Sequence, residues 1–232
     1  MKKITSLWKY FSLAEKMLWV LSVLLIVVSF FVFGNESYLT LAASLIGVTS
    51  LIFCAKGNPF GLFLMIIFSL VYGYISFFCA YYGEMITYIG MTLPMSAFSL
   101  VSWLRNPYKG KKTEVEVNHI GKKEYVFISA LTALVTFVFY FILAAFNTAN
   151  LLISTFSVAT SFFAVCLSFC RSPYFALVYA ANDIVLVCLW LLATVQDISY
   201  LSVVMCFAAF LANDIYGFIS WRRMEKKQSL HS

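Results

Sequence analysis

Charge is what this chain has least of. Only 11% of its 232 residues are Asp, Glu, Lys or Arg, while 62% are hydrophobic; an ordinary globular domain carries about 25% charge. That deficit excludes a soluble domain of useful size. Histidine is scarcer still. His119 and His231 are the only two, both in hydrophilic stretches, so the apolar runs hold no imidazole and no zinc site. The six cysteines show no CxxC spacing and sit in apolar runs or at their basic ends, which reads them as small packing residues. No glycine-rich phosphate cradle appears, and the GxGD context of an intramembrane aspartyl protease is missing, so no enzyme is expected. Phe33-Gly34-Asn35-Glu36 offers no small-residue cleavage site, and the first apolar run should be retained.

What the chain has instead is apolar length. Runs at 17–33, 38–55, 60–80, 85–104, 125–146, 149–169, 173–194 and 199–221 are each long enough to cross a hydrocarbon core of about 30 Å. The reading is an all-α polytopic membrane protein with about eight transmembrane helices. Its net charge of +6 is a topology signal and not a nucleic-acid footprint. With the N-terminus inside, all 16 Lys and Arg fall on the cytoplasmic side, while the outer turns hold Glu36, Glu84 and Asp197 and no base. That pattern predicts a multi-pass protein of the cell membrane with both termini cytoplasmic. Ahead of the first span, Leu7, Trp8, Tyr10, Phe11 and Leu13 suggest an amphipathic helix lying along the interface.

The halves of the chain resemble each other. Lys56-Gly57-Asn58-Pro59-Phe60 matches Cys170-Arg171-Ser172-Pro173-Tyr174. Phe98-Ser99-Leu100-Val101-Ser102-Trp103-Leu104-Arg105 matches Tyr216-Gly217-Phe218-Ile219-Ser220-Trp221-Arg222-Arg223. Two parallel three-helix repeats follow, at 38–105 and 149–223, joined through a basic loop and linker helix at 106–148. Residues 1–37 add an interfacial segment and an extra helix, and 224–232 form a cytoplasmic tail. Transporters use this symmetry, with substrate held near mid-depth between the halves.

The repeats differ at two polar pairs, Asn182-Asp183 and Asn213-Asp214, set where the first repeat has Phe68-Ser69 and Met95-Ser96. A carboxylate facing lipid costs roughly 3 kcal/mol by insertion scales, and no span carries a base to neutralise it. Three answers stay open: protonation, binding of protons or inorganic cations, or contact with a cationic organic solute. An aromatic content of 19% favours the last, since rings attract a desolvated cation. The asparagines suit hydroxyls or an amide, and nothing in the spans would grip a phosphate. Helical spacing puts Asp183 and Trp190 on one face, Asn213, Tyr216 and Ser220 on another. The stripes Ser69-Tyr72-Ser76, Thr92-Ser96-Ser99-Trp103 and Ser154-Ser157-Ser161 read as small-residue packing surfaces.

Together with Tyr81-Tyr82-Gly83-Glu84-Met85 and Trp103-Leu104-Arg105-Asn106-Pro107, these segments resemble the PnuC family of vitamin transporters over nearly the whole chain. The resemblance implies a three-plus-one-plus-three architecture akin to SWEET sugar transporters, usually a homotrimer. It implies uptake of nicotinamide riboside by facilitated diffusion, with a cytoplasmic nucleoside kinase trapping the product, and no cofactor. It also implies a binding asparagine on the seventh span, matched by Asn182, among polar and aromatic groups of the sixth to eighth. The chain departs from the family at Phe175 and Val178, where members carry tryptophan, and near Ala164, where they carry glutamine. The candidate binding set is Asn182, Asp183, Asn213, Asp214, Tyr179, Trp190, Tyr216, Tyr72 and Phe175, with no metal. Relatives in the family carry thiamine or riboflavin, so thiamine, also a cation, or another vitamin is the alternative substrate, and a proton-coupled carrier using Asp183 and Asp214 the alternative mechanism. Gly90, Pro94 and Gly217 are the expected flexible points for alternating access.

Overall fold

A computed structural model describes residues 10–33, 37–78 and 82–230. The interfacial segment expected around Leu7 and Trp8 lies outside the described residues, as do Glu36, Cys79, Tyr81 and His231. Among the described residues, eight helices are long and apolar enough to cross a membrane. They are α1 (Leu13–Phe33), α2 (Tyr38–Ala55), α3 (Phe60–Phe78), α4 (Tyr82–Arg105), α5 (Lys122–Ala145), α6 (Leu151–Phe169), α7 (Phe175–Thr194) and α8 (Leu201–Ser229).

Local chemistry accounts for where the ends differ from the apolar runs. α1 starts earlier than the run at 17 because Ser12 and Glu15 bond reciprocally, the Ser12 N–H to Glu15 Oε2 at 2.7 Å and the Glu15 N–H to Ser12 Oγ at 3.3 Å. That capping box satisfies two orphan amides. α8 continues past the run at 221 and carries most of the expected tail as helix. Within α4 the chain widens to a π-helix over Thr87–Thr92, followed by Pro94 in the first turn of the next α segment. Proline lacks an N–H and its ring crowds the carbonyl four residues back; a wide turn just before it relieves both. Asp197 accepts from the Ser199 N–H at 2.9 Å at the short turn ahead of α8, and this bond holds its carboxyl below the usual carboxylate range.

α7 and α8 pack most extensively, α2 lies on α3, α6 on α7, and α8 also covers α1 and α2. α4 bridges α3 and α6, while α5 rests on α6 at the edge. Phe127, Leu134, Phe137 and Phe141 of α5 are exposed, as suits a helix whose solvent is hydrocarbon.

One end of the bundle is tied shut. The turns after α2 and α6 are built alike. Gly57 and Arg171 both take the left-handed conformation, at φ 65° and 59°. The following amides, Asn58 and Ser172, reach back to the carbonyls of Phe53 and Leu167 at 3.1 and 3.0 Å, which closes each helix by a Schellman motif. The indole N–H of Trp103 in α4 donates to the Ser168 carbonyl at 2.8 Å, and that of Trp221 in α8 donates to the Cys54 carbonyl at 2.8 Å. The two indoles, fully buried, meet with centroids 5.1 Å apart.

The basic loop between α4 and α5 is not the free solvated face its composition suggests. Its backbone lies across this closed end. The Val115 N–H donates to Gly57 O at 2.9 Å and the Asn118 N–H to Arg171 O at 3.1 Å, so the strap bonds to both left-handed turns. Gln228 of α8 accepts from the Val117 N–H at 2.9 Å and donates to Val115 O at 3.1 Å. Val115 is fully buried, whereas Lys109, Lys111 and Lys112 stay exposed. Unpaired backbone groups at a buried helix end are costly, and the strap satisfies several of them.

Candidate functional site

The other half of the bundle holds a cavity of about 420 Å³ between α3, α4, α6, α7 and α8. Sites for small molecules span roughly 300–1,000 Å³. It runs from the turns at 146–150 and 195–200 down to Asp214. A second crevice, about 30 Å³ and lined by no charged residue, has room for about one water molecule.

Close helix packing builds the cavity floor. A Cβ on Gly217 of α8 would stand 3.4 Å from the Ala176 Cβ of α7, so small residues set this separation. One turn from Gly217 along α8 lies Asp214, and two turns from Ala176 along α7 lies Asp183. Both carboxyl groups are buried and within hydrogen-bond reach of each other. Among the described residues, Asp183 Oδ2 has no hydrogen-bond partner. Gly217 is therefore a packing contact where a flexible point was expected; the backbone irregularity lies at Thr87–Thr92, which includes Gly90.

Beside the acids, Asn182 is buried, and its Oδ1 accepts from the Thr160 hydroxyl of α6 at 2.7 Å. That bond fixes the carbonyl end and leaves the two amide protons as the donors on offer. Tyr179, Trp190 and Tyr72 line the same space, with Tyr72 and Tyr88 rings 4.6 Å apart and Trp190 against Tyr200 at 5.4 Å. Glu84 of α4 supplies a third acid to the lining, and no Lys, Arg or His is among the lining residues.

Three expected binding residues stand elsewhere. Asn213 faces α1: its Nδ2 donates to Ser22 Oγ and to Ala209 O, both at 2.8 Å. Tyr216 donates its hydroxyl to Glu15 Oε1 at 3.1 Å, beside the Lys56–Glu15 ion pair at 3.1 Å. Phe175 packs edge-on against Trp221 at 4.8 Å, in the closed end. The reason is rotation about the helix axis. Asn213 precedes Asp214 by 100° of helical turn, enough to move it from the cavity to the α1 contact.

Several lining residues are absent from the expected binding set. Ser154, Ser157 and Ser161 line the cavity along α6, so the stripe read as helix packing is a polar wall; its three- and four-residue spacing was the available signal. Thr87 and Tyr88 join the lining from the π segment, whose geometry no helical projection anticipates. The serines on α3 and α4 do pack: Ser69, Ser76, Ser96 and Ser99 are fully buried and outside the lining, while Tyr72 and Thr92 of the same stripes face the cavity.

Comparison with known proteins agrees with this arrangement. The chain is similar to a curated protein of Neisseria mucosa named nicotinamide riboside transporter PnuC, 23% identical over 215 residues, which cover 91% of this chain and 82% of that protein. It shares the fold of a solved structure described as the vitamin B3 transporter PnuC, with a TM-score of 0.79, 21% identity and 94% of each chain covered. The model of the nicotinamide mononucleotide transporter family matches residues 37–223. A bundle of eight apolar helices around an acid-floored cavity, matched by that family over most of its length, is a membrane transporter and not an enzyme: the chain belongs to the nicotinamide mononucleotide transporter family.

Proposed function

We propose that this protein carries nicotinamide riboside across the cell membrane. The observation that carries this reading is the cavity lining, with three acids and no base. A mononucleotide brings a phosphate that this lining has nothing to hold; anions are bound by Arg, Lys or free backbone amides. The unphosphorylated riboside brings a pyridinium cation, a carboxamide and ribose hydroxyls. These suit acids and aromatic rings, an asparagine, and a serine wall respectively. The similar protein of Neisseria mucosa bears the riboside in its name.

Asn182, Asp183, Asp214, Tyr179, Trp190 and Tyr72 are the residues proposed to touch it. Movement is by alternating access between two three-helix units, α2–α4 and α6–α8, joined by α5. The state described has its cavity facing the turns with few bases, taken as the outer side by the positive-inside rule. Its inner end is closed by Trp103, Trp221 and the strap. Both termini are then cytoplasmic. Transport is facilitated diffusion, kept inward by a cytoplasmic nucleoside kinase, and the working assembly is a homotrimer; resemblance to the PnuC family supports these three points.

The test is uptake of labelled nicotinamide riboside into proteoliposomes, with and without a proton gradient. Equal equilibration in both conditions is expected. Uptake of the mononucleotide in preference to the riboside would overturn the assignment, and dependence on the gradient would replace diffusion by coupling.

A further inference from the structure

The acid pair at the cavity floor does more than tolerate a positive solute. Asp183 and Asp214 come from different helices, are both buried, and lie within hydrogen-bond reach. Two ionised carboxylates are acceptors only and repel at that distance, so the pair holds at least one proton. With one proton held, the pair carries a single negative charge. Asp183 Oδ2, buried and without a donor, leaves that charge unsatisfied by protein. No Lys, Arg or His lines the cavity, and the other titratable groups facing it, Glu84, Tyr72, Tyr82, Tyr88, Tyr179 and Tyr200, are acids. Apart from Glu84 and the aromatic rings, which also favour a cation, little in the site distinguishes a charged ring from an uncharged one. Thr160, Asn182 and the serines of α6 would meet a carboxamide or a ribose whatever the ring's oxidation state.

We propose that the Asp183–Asp214 pair, holding one proton, makes this transporter selective for the oxidised pyridinium nucleoside over its reduced 1,4-dihydropyridine form. The inference rests on the riboside reading above and deepens it. The two forms share carboxamide, ribose and nearly the same shape; they differ by one positive charge on the ring. An uncharged ring placed against the pair leaves a buried negative charge without a counter-ion, which is the costly case. A cation cancels it. The site thus reads the ring's redox state through electrostatics alone.

The experiment compares binding of nicotinamide riboside and its 1,4-dihydro form to the purified full chain, by calorimetry, for the unaltered protein, Asp183→Asn, Asp214→Asn and Asn182→Ala. The unaltered protein should bind the cation about ten- to a hundredfold more tightly. Each Asp→Asn change should cut that ratio towards one, chiefly by weakening the cation. Asn182→Ala should weaken both forms alike and leave the ratio standing. Equal binding of both forms by the unaltered protein would overturn the charge inference and leave the riboside reading intact. A ratio that survives in both Asp→Asn variants would take the selectivity away from this pair. Binding of neither form would overturn the riboside reading and this inference with it. The unaltered protein alone decides the first point, so a variant that fails to fold does not shelter the proposal.

Discussion

The two ends of the bundle use related segments for opposite purposes. At the closed end the turns after α2 and α6 are interchangeable in their bonding. Gly57 and Arg171 share a backbone conformation, and Trp103 of α4 and Trp221 of α8 reach the carbonyls of Ser168 in α6 and Cys54 in α2. At mid-depth the helices that follow these turns part. Where α7 has Asn182-Asp183, α3 has Phe68-Ser69; Phe68 lines the cavity and Ser69 spends its hydroxyl on Met65 O at 2.9 Å. Equivalence makes a clasp, and divergence makes an asymmetric pocket for an asymmetric solute.

The largest expected effect tests the clasp. Trp103→Ala or Trp221→Ala removes a fully buried indole and its hydrogen bond across the bundle, a loss of about 3–5 kcal/mol of stability. Trp→Phe keeps most of the packing and costs about 0.5–1.5 kcal/mol through the lost hydrogen bond, since Ser168 O and Cys54 O keep the Arg171 and Gly57 N–H groups as donors. Because the rings touch, the double Trp→Phe variant should differ measurably from the sum of the singles. Thermal unfolding in detergent measures all five variants, and effects confined to one tryptophan would break the equivalence.

The next contrast separates scaffold from site along one sequence pattern. Asn213→Ala leaves Ser22 Oγ and Ala209 O without their shared donor and should cost about 1–2 kcal/mol of stability with riboside affinity unchanged. Asn182→Ala should weaken binding by about 1–3 kcal/mol, again by calorimetry. If both reduce affinity equally, the boundary drawn between α1 contact and cavity is wrong.

That boundary is also where the sequence stopped being legible. Span number and approximate extent follow from the thickness of the bilayer, and a buried acid in a baseless run is conspicuous by its cost. Which face of a span looks inward is another matter. A helix that is apolar all round carries almost no rotational signal, so Asn182 and Asn213, each preceding an aspartate, looked equivalent. The serines of α6 looked like those of α3 and α4 for the same reason. Nor does composition reveal that a basic loop bonds its backbone across a helix end, since the lysines there remain in solvent as their charge requires.

A smaller effect sharpens the match between the two turns. Gly57→Ala puts a Cβ at positive φ, worth about 1–2 kcal/mol, and within 2.9 Å of the flexible Met224 side chain. Arg171 already bears that strain. Burial draws its guanidinium below the ordinary value, and its Nε is buried without a partner. Arg171→Gly should therefore be neutral or stabilise by up to about 1 kcal/mol, read as a rise in unfolding temperature. Opposite signs at two equivalent positions would show that one backbone conformation is demanded at both.

The smallest effect lies at Tyr216, on the same face of α8 as Asn213. Its hydroxyl bonds Glu15 Oε1, but that carboxylate keeps Lys56 and the Ser12 N–H as partners. Tyr216→Phe thus removes one of several bonds and strands no charge. The loss should be about 0.5–1.5 kcal/mol, with riboside affinity the same within error, because no part of Tyr216 lines the cavity. A tenfold fall in affinity at preserved stability would mean that the solute reaches Glu15 before release. Glu15 would then be a fourth acid on its path, and the closed end would belong to the transport route as well as to the scaffold.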